Sequence, residues 1–287
     1  MSATTTLSPK AVIFDAYGTL FDVHAVIAAA EQIFPGRGDA LSQLWRQKQI
    51  EYTQLRTLAD AGGAAHYRPF WDITLDALRF SAKKLQLTLG RTAEKRLMDE
   101  YACLSAFPDA VPALHQLRDA ASVSASRPAS KSASRPASAA SASAGTSGGS
   151  PPGLAILSNG NPQMLDVAVK SAGMSGLFDH VLSVDAVRAY KPAPAAYALG
   201  TQAFDAQPRE IVFVSSNGWD VAGATWFGFT TFWLNRQNAP LEELGVTPHG
   251  TGAGMSDLLA FLKTLSTAGR AGRAGAAASR TPHSPGA

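Results

Sequence analysis

The sequence is poor in cysteine, with only Cys103 in 287 residues. That excludes an intrachain disulfide and any zinc or iron–sulfur site assembled from several cysteines. The six histidines show no paired spacing of the kind a metal site uses. No apolar run approaches the length of a membrane span, so no membrane association is expected. The first residues, Met1-Ser-Ala-Thr-Thr-Thr, show no basic flank followed by a long apolar stretch, and no secretory signal is read there. A cytoplasmic protein is the expectation. The phosphate-cradling pattern Gly-x-x-x-x-Gly-Lys is also missing.

Acidic residues are missing from two stretches. Residues 121–152 contain Arg127, Lys131 and Arg135 without a single carboxylate, and residues 264–287 contain Arg270, Arg273 and Arg280 likewise. Together they more than account for the formal net charge of +3, so the rest of the chain is acidic by about three charges. The basic isoelectric point therefore reflects two low-complexity segments. A nucleic-acid footprint needs positive charge clustered on a folded face, and none is read here.

Residues 121–150 hold eleven Ser and nine Ala, and Ser-Ala-Ser-Arg-Pro-Ala-Ser occurs twice, at 124–130 and 132–138. Such a composition has little to bury and cannot offset the entropy of ordering itself. It reads as a disordered insert over 121–152, and the Gly/Ala/Arg-rich residues 264–287 read as a disordered tail.

The whole chain is 46% hydrophobic, and what remains alternates in pattern, enough for one core domain with a subdomain. Short β-branched apolar runs occur at Ala11–Phe14, Leu154–Leu157, Val181–Val184, Ile211–Val214 and Thr231–Leu234. With helical stretches between them, these predict parallel strands buried on both faces. Polar residues follow the first four at once: Asp15, Ser158-Asn159, Asp185 and Ser215-Ser216-Asn217. In open α/β sheets the ligand crevice lies at the carboxyl ends of the strands, so these groups are expected to converge.

Residues 23–104 contain no such strand and read as a helical lid. Leu41, Leu44, Trp45, Tyr52, Leu55 and Ala59 form an apolar stripe at helical spacing, with Arg46 well off it. Thr92 is placed to cap a later helix whose Leu97, Met98, Tyr101 and Leu104 share a face. The expected division is a core of residues 7–22 and 105–263, a helical cap of residues 23–104, and the insert and tail described above.

The segment Phe14-Asp15-Ala16-Tyr17-Gly18-Thr19-Leu20-Phe21-Asp22 places a carboxylate directly after a buried strand, where a nucleophile or metal ligand would sit. A turn aspartate satisfied by backbone N–H groups has the same pattern. Three later motifs separate the two readings: Ser158-Asn159-Gly160, Lys191-Pro192, and Ser215-Ser216-Asn217-Gly218-Trp219-Asp220. In this order the four resemble the motifs of the haloacid dehalogenase superfamily. That resemblance implies a doubly wound, Rossmann-like parallel α/β core with an inserted helical cap.

Most members of that superfamily are magnesium-dependent phosphohydrolases whose first motif is Asp-x-Asp. Here the second carboxylate is replaced by Tyr17, and Ser215, Ser216 and Asn217 stand where further metal carboxylates are usual. The sequence reads as a member without metal or cofactor. In detail it resembles the type II group, the L-2-haloacid dehalogenases. The resemblance includes Phe34-Pro35-Gly36-Arg37-Gly38 and the run Leu44–Thr53 in the cap, and Leu182–Asp185 and Tyr190–Tyr197 in the core.

Displacing halide from the carbon next to a carboxylate calls for four functions. Asp15 is the nucleophile, forming an ester, with Lys191 as the cation that keeps it ionised. Ser158 and backbone N–H groups near Ala16 suit the substrate carboxylate. Arg46 suits the departing halide, with Asn159, Tyr17, Phe70 and Trp219 completing a dry pocket. Asp220, Asn217, Ser215 and Lys191 are candidates to position and activate the water. Thr19 is placed to hydrogen-bond Asp15, and the resemblance brings Tyr197 to the site. The expected reaction converts an L-2-haloacid and water to a D-2-hydroxy acid. The cap's apolar face and the resemblance both suggest a homodimer without deciding against a monomer. The alternatives are a magnesium-dependent phosphatase of small metabolites on the same fold, and a non-enzymatic scaffold binding a partner through the Ser/Ala/Arg insert.

Overall fold

The computed structural model describes residues 9–60, 64–125 and 152–265. The first strand, β1 (Ala11–Phe14), is fully buried along its length. The helices α1 (Val26–Ile33), α2 (Gly38–Ala59), α3 (Phe70–Lys84) and α4 (Arg91–Ala102) follow it without an intervening strand, and then α5 (Ala110–Ala125). After this the chain alternates: β2 (Gly153–Ser158), α6 (Pro162–Ser171), β3 (His180–Ser183), α7 (Pro194–Phe204), β4 (Ile211–Ser215), α8 (Gly218–Phe227) and β5 (Thr230–Leu234). A short β6 (Gly250–Gly252) and a helix over 255–265, α9, complete the described chain.

All six strands form one parallel sheet in the order β3-β2-β1-β4-β5-β6. Phe14 pairs with Ile156 on one side and Val214 on the other, so β1 is central and the strand order reverses beside it. A crevice at that reversal is where such sheets bind ligands. Burial on both faces holds for β1 and β4. It fails for β3, an edge strand on which Val181 is exposed and Val184 already belongs to a 3-10 turn. The Gly-Thr-Gly strand β6 has no apolar signature and was not anticipated.

The segment between β1 and α5 is helical, as the sequence implied, but its faces differ from the expected stripe. On α2 the buried residues are Gly38, Leu41, Ser42, Trp45, Gln49 and Thr53. Leu55 is 53% and Leu58 81% exposed, and Ala59 is exposed too. The first half of α2 packs on α1 and α3, with the Trp45 indole N–H donating to the Thr74 carbonyl at 2.7 Å. The second half turns a polar face inward. Thr92 does not cap α4, because Gly90 occupies the N-cap position and the helix begins at Arg91. Leu97, Met98, Tyr101 and Leu104 are buried as expected.

Most of the Ser/Ala-rich segment and of the C-terminal segment lies outside the described residues. Where they overlap, α5 continues to Ala125 and α9 to residue 265.

Candidate active site

The carboxyl ends of β1, β2 and β4 deliver Asp15, Ser158 and Ser215 to one edge. Asp15 continues β1, its N–H donating to the Val214 carbonyl at 2.8 Å. The chain then turns at Gly18, whose φ of +94° favours glycine. This brings the Thr19 hydroxyl back to donate to Asp15 Oδ2 at 2.8 Å, while the Ser216 N–H donates to Thr19 Oγ1 at 2.8 Å. The Asn217 amide also donates to Asp15 Oδ2, at 2.9 Å.

Lys191 arrives from the loop before α7 and has no exposed surface. Its Nζ donates to Asp15 Oδ1 at 2.7 Å, to Asp220 Oδ2 at 2.6 Å and to the Leu157 carbonyl at 3.3 Å. Its own N–H is held by Asn159 Oδ1 at 3.0 Å. Asp220 lies in the first turn of α8, equally buried. Its oxygens accept from Ser215 Oγ at 3.0 Å and Tyr197 Oη at 2.7 Å. The approach is close because Gly223 lies against Pro192 and Tyr197; a Cβ there would come within 2.5 Å of the proline ring.

Burial alone would lower the Lys191 pKa. The Asp15 and Asp220 charges outweigh it and hold the ammonium above its usual value. Burial raises Asp220 above the usual aspartate range, with Lys191 pulling it down and Asp15 adding to the rise. Burial likewise pushes Tyr17 well above its usual value. Tyr17 is therefore a neutral phenol at neutral pH and a poor substitute for the missing second carboxylate.

Arg46 reaches the same crevice from α2. Its Nη2 donates to the Tyr17 carbonyl at 2.9 Å and to Asn217 Oδ1 at 3.2 Å. Together with Asp15, Tyr17, Phe70, Ser158, Asn159, Asn217 and Trp219, it lines a cleft at the sheet edge. The formal charges of Asp15, Asp220, Lys191 and Arg46 cancel.

The sequence-derived residues thus gather in one place. Ala16 is buried behind Asp15, and its carbonyl accepts the N–H groups of the Thr19–Phe21 turn. Ser158 Oγ accepts from the Gly160 N–H at 3.0 Å. Sequence reasoning overlooked Ile50 and Thr53, which also line the cleft, and Gln49, which accepts from Arg46 Nη1 at 2.8 Å. The signal was present: 46, 49, 50 and 53 have the spacing of a single helix face. A search for apolar stripes passes over it.

The magnesium implied by the wider superfamily does not fit these residues. A dication needs oxygen ligands around it, whereas the Lys191 ammonium occupies the position between the two carboxylates. Among the described residues no group of three His, Cys, Asp or Glu side chains is placed to hold a metal ion.

Comparison with known proteins places the chain in a family. A family model described as haloacid dehalogenase-like hydrolase matches residues 149–228. The (S)-2-haloacid dehalogenase of Pseudomonas sp. (strain YL) is 41% identical over 239 residues, 83% of this chain and 88% of its own. A crystal structure of an L-2-haloacid dehalogenase is 57% identical with a TM-score of 0.77, over 89% of this chain and 99% of that one. The L-2-haloacid dehalogenase of Xanthobacter autotrophicus, solved with chloropropionic acid covalently bound, is 34% identical with a TM-score of 0.71, over 89% and 98% of the two chains.

Proposed function

The chain belongs to the (S)-2-haloacid dehalogenases, hydrolases acting on carbon–halide bonds, and from that premise we propose how its own residues carry the reaction. Asp15 attacks the α-carbon of an L-2-haloacid from the side opposite the halogen. A carbon–oxygen bond forms, the carbon–halogen bond breaks, and the halide leaves with the bonding pair. The carbon is inverted. Ser158 and the N–H groups at the ends of β1 and β2 hold the substrate carboxylate. Arg46 stabilises the departing anion, and Tyr17, Phe70, Asn159 and Trp219 exclude water so that this charge interaction is strong.

Water then attacks the Asp15 ester carbonyl. Esterification removes the Asp15 charge, one of the two that hold the Lys191 proton, and also relieves a charge that raises Asp220. Asp220, Ser215, Asn217 and Lys191 position the water, whose proton passes toward Asp220. The adduct collapses and the bond from the Asp15 carbonyl carbon to the substrate oxygen breaks. That oxygen takes the proton back from Asp220 and the D-2-hydroxy acid leaves. The remaining Asp15 carboxyl proton goes to solvent and the carboxylate is restored. The single observation that carries this reading is Lys191 Nζ lying 2.7 Å from Asp15 and 2.6 Å from Asp220. It supports a nucleophile steadied by an ammonium ion, and it speaks against the phosphatase alternative.

The test is a single turnover in ¹⁸O-labelled water with enzyme in excess and EDTA present. Chloride is expected from L- but not D-2-chloropropionate, with label in Asp15 and none in the product. Label appearing directly in the hydroxy acid refutes the ester route. Residues 23–104 are further proposed to act as a cap over the core, and the enzyme to be a cytoplasmic homodimer. The exposed Leu55, Leu58 and Phe80 on the paired helices α2 and α3 support the dimer. Light scattering of Leu58→Glu beside the wild type tests it, with a fall in mass expected for the variant.

A further inference from the structure

A guanidinium on a long stem ends up in one place only if fixed acceptors hold it there. Arg46 has three such acceptors. Tyr17 O and Asn217 Oδ1 belong to the sheet edge and bind Nη2. Gln49 Oε1 alone comes from α2, one helical turn on, and binds Nη1 at 2.8 Å. Gln49 has no exposed surface.

The orientation of its amide is dictated by its neighbours. The Thr74 hydroxyl donates to the Phe70 carbonyl at 2.7 Å, so toward Gln49 it accepts, from Nε2 at 2.7 Å. The Tyr101 hydroxyl donates to Gln49 Oε1 at 3.0 Å. Oε1 is thereby fixed toward Arg46, and the amide joins α2 to α3 through Thr74 and to α4 through Tyr101. We propose that Gln49 is a positioning residue for the first chemical step: it sets the Arg46 guanidinium where the departing halide gathers its charge. This rests on the reading of Arg46 as the halide-stabilising group.

A buried glutamine that only holds helices together would, when replaced, slow every substrate alike. A positioning residue acts on leaving-group charge. Chloride is the poorer leaving group and depends more on that stabilisation than bromide. The first-turnover rate of halide release is therefore measured with L-2-chloropropionate and L-2-bromopropionate, because the later ester hydrolysis is common to both. Gln49→Met keeps the length and removes the acceptor. Its chloride release is expected to fall about 10-fold or more, the size of effect that a hydrogen bond to a charged group carries. The chloride-to-bromide rate ratio is expected to fall at least about threefold.

Thr74→Val keeps the shape of the side chain and removes the hydroxyl that accepts from the Gln49 amide, leaving in place the Tyr101 hydroxyl, which also interacts with Arg46. It is expected to shift the ratio in the same direction by a smaller factor, and it decides the matter if Gln49→Met does not fold. Arg46→Lys is measured in parallel. If Arg46→Lys shifts the ratio while Gln49→Met and Thr74→Val leave it unchanged, the role of Gln49 is overturned and that of Arg46 stands. If Arg46→Lys leaves the ratio unchanged, the reading of Arg46 fails and takes this proposal with it.

Discussion

At the sheet edge, Asp15, Lys191 and Asp220 are buried ions that satisfy one another, reaching their places from the end of a strand, the loop before α7 and the first turn of a helix. On α2 a single ion, Arg46, is held by neutral oxygens: a backbone carbonyl and two side-chain amides. The two arrangements answer to different physics. A buried ionic chain that loses one member leaves an uncompensated charge in a low-dielectric interior, and both folding and chemistry suffer. A neutral cradle that loses one member leaves a cation somewhat misplaced, and chemistry suffers more than folding. The contrast ranks the consequences of substitution.

The largest effect is expected for Asp15→Ala, which removes the atom that bonds to carbon. Halide release measured by ion-selective electrode should fall by about 10³-fold or more, and substantial surviving activity would break the assignment of the sheet edge as the reacting side. Lys191→Met comes next. It strands two buried carboxylates, so roughly 3–5 kcal/mol of stability should be lost in denaturant unfolding, along with activity. Adding Asp220→Asn to that variant should recover part of the stability and none of the activity. Failure to recover would show that the ions are not coupled as described.

Arg46→Lys should lower the rate by about 10²-fold, within the range mutagenesis gives for one transition-state donor, while changing the unfolding midpoint little. A stability loss as large as that of Lys191→Met would erase the distinction between the two regions. The pH profile sharpens it. Lys191 is held above its usual pKa by the two carboxylates, against the effect of burial. A raised pKa means that the folded protein binds the proton more tightly than the unfolded chain. Its stabilisation is complete below the usual lysine value and disappears as pH rises through the folded value. Asp220, moved upward first by burial, takes up its proton above the usual aspartate range as pH falls. The kcat/KM profile, which reports the free enzyme, should therefore begin to fall on the acid side above the ordinary aspartate value and hold on the alkaline side past the ordinary lysine value. An acid limb in the ordinary range, or an alkaline limb below the lysine value, counts against the buried ion chain.

The smallest effect belongs to a contact between the two regions. Tyr67 Oη, in the loop before α3, donates to Asp185 Oδ1 at 2.6 Å, and its ring stacks on Tyr190 beside Lys191. Tyr67→Phe keeps the ring and removes one partly exposed hydrogen bond, so about 0.5–1.5 kcal/mol should be lost. A larger loss, or a change in the chloride-to-bromide ratio, would mean that this contact also sets the position of Arg46.

The sheet edge was largely legible in the sequence, because a nucleophile at a strand end follows a buried apolar run and the chain marks both. Asp15, Ser158 and Ser215 could be placed for that reason. The face of α2 was not legible. Its second half turns Gln49 and Thr53 inward and Leu55 and Leu58 outward, the reverse of what an apolar stripe implies. Periodicity assumes that the inside is apolar, and a helix lining a polar site breaks that assumption. The edge strands show the same limit: β6 forms from Gly-Thr-Gly by backbone pairing to β5 alone.

The sequence by itself determined that the buried strands run parallel, that a long helical excursion follows β1 and which motifs stand at the strand ends, because each is written in local residue order. Only the tertiary structure decided that Lys191 lies between two carboxylates 176 and 29 residues away, and that Thr74 and Tyr101 from two other helices hold the Gln49 amide against Arg46. Those contacts depend on how helices and strands pack in space. Hydrogen-bond reach is a matter of a few ångströms, and spacing along the chain does not encode it.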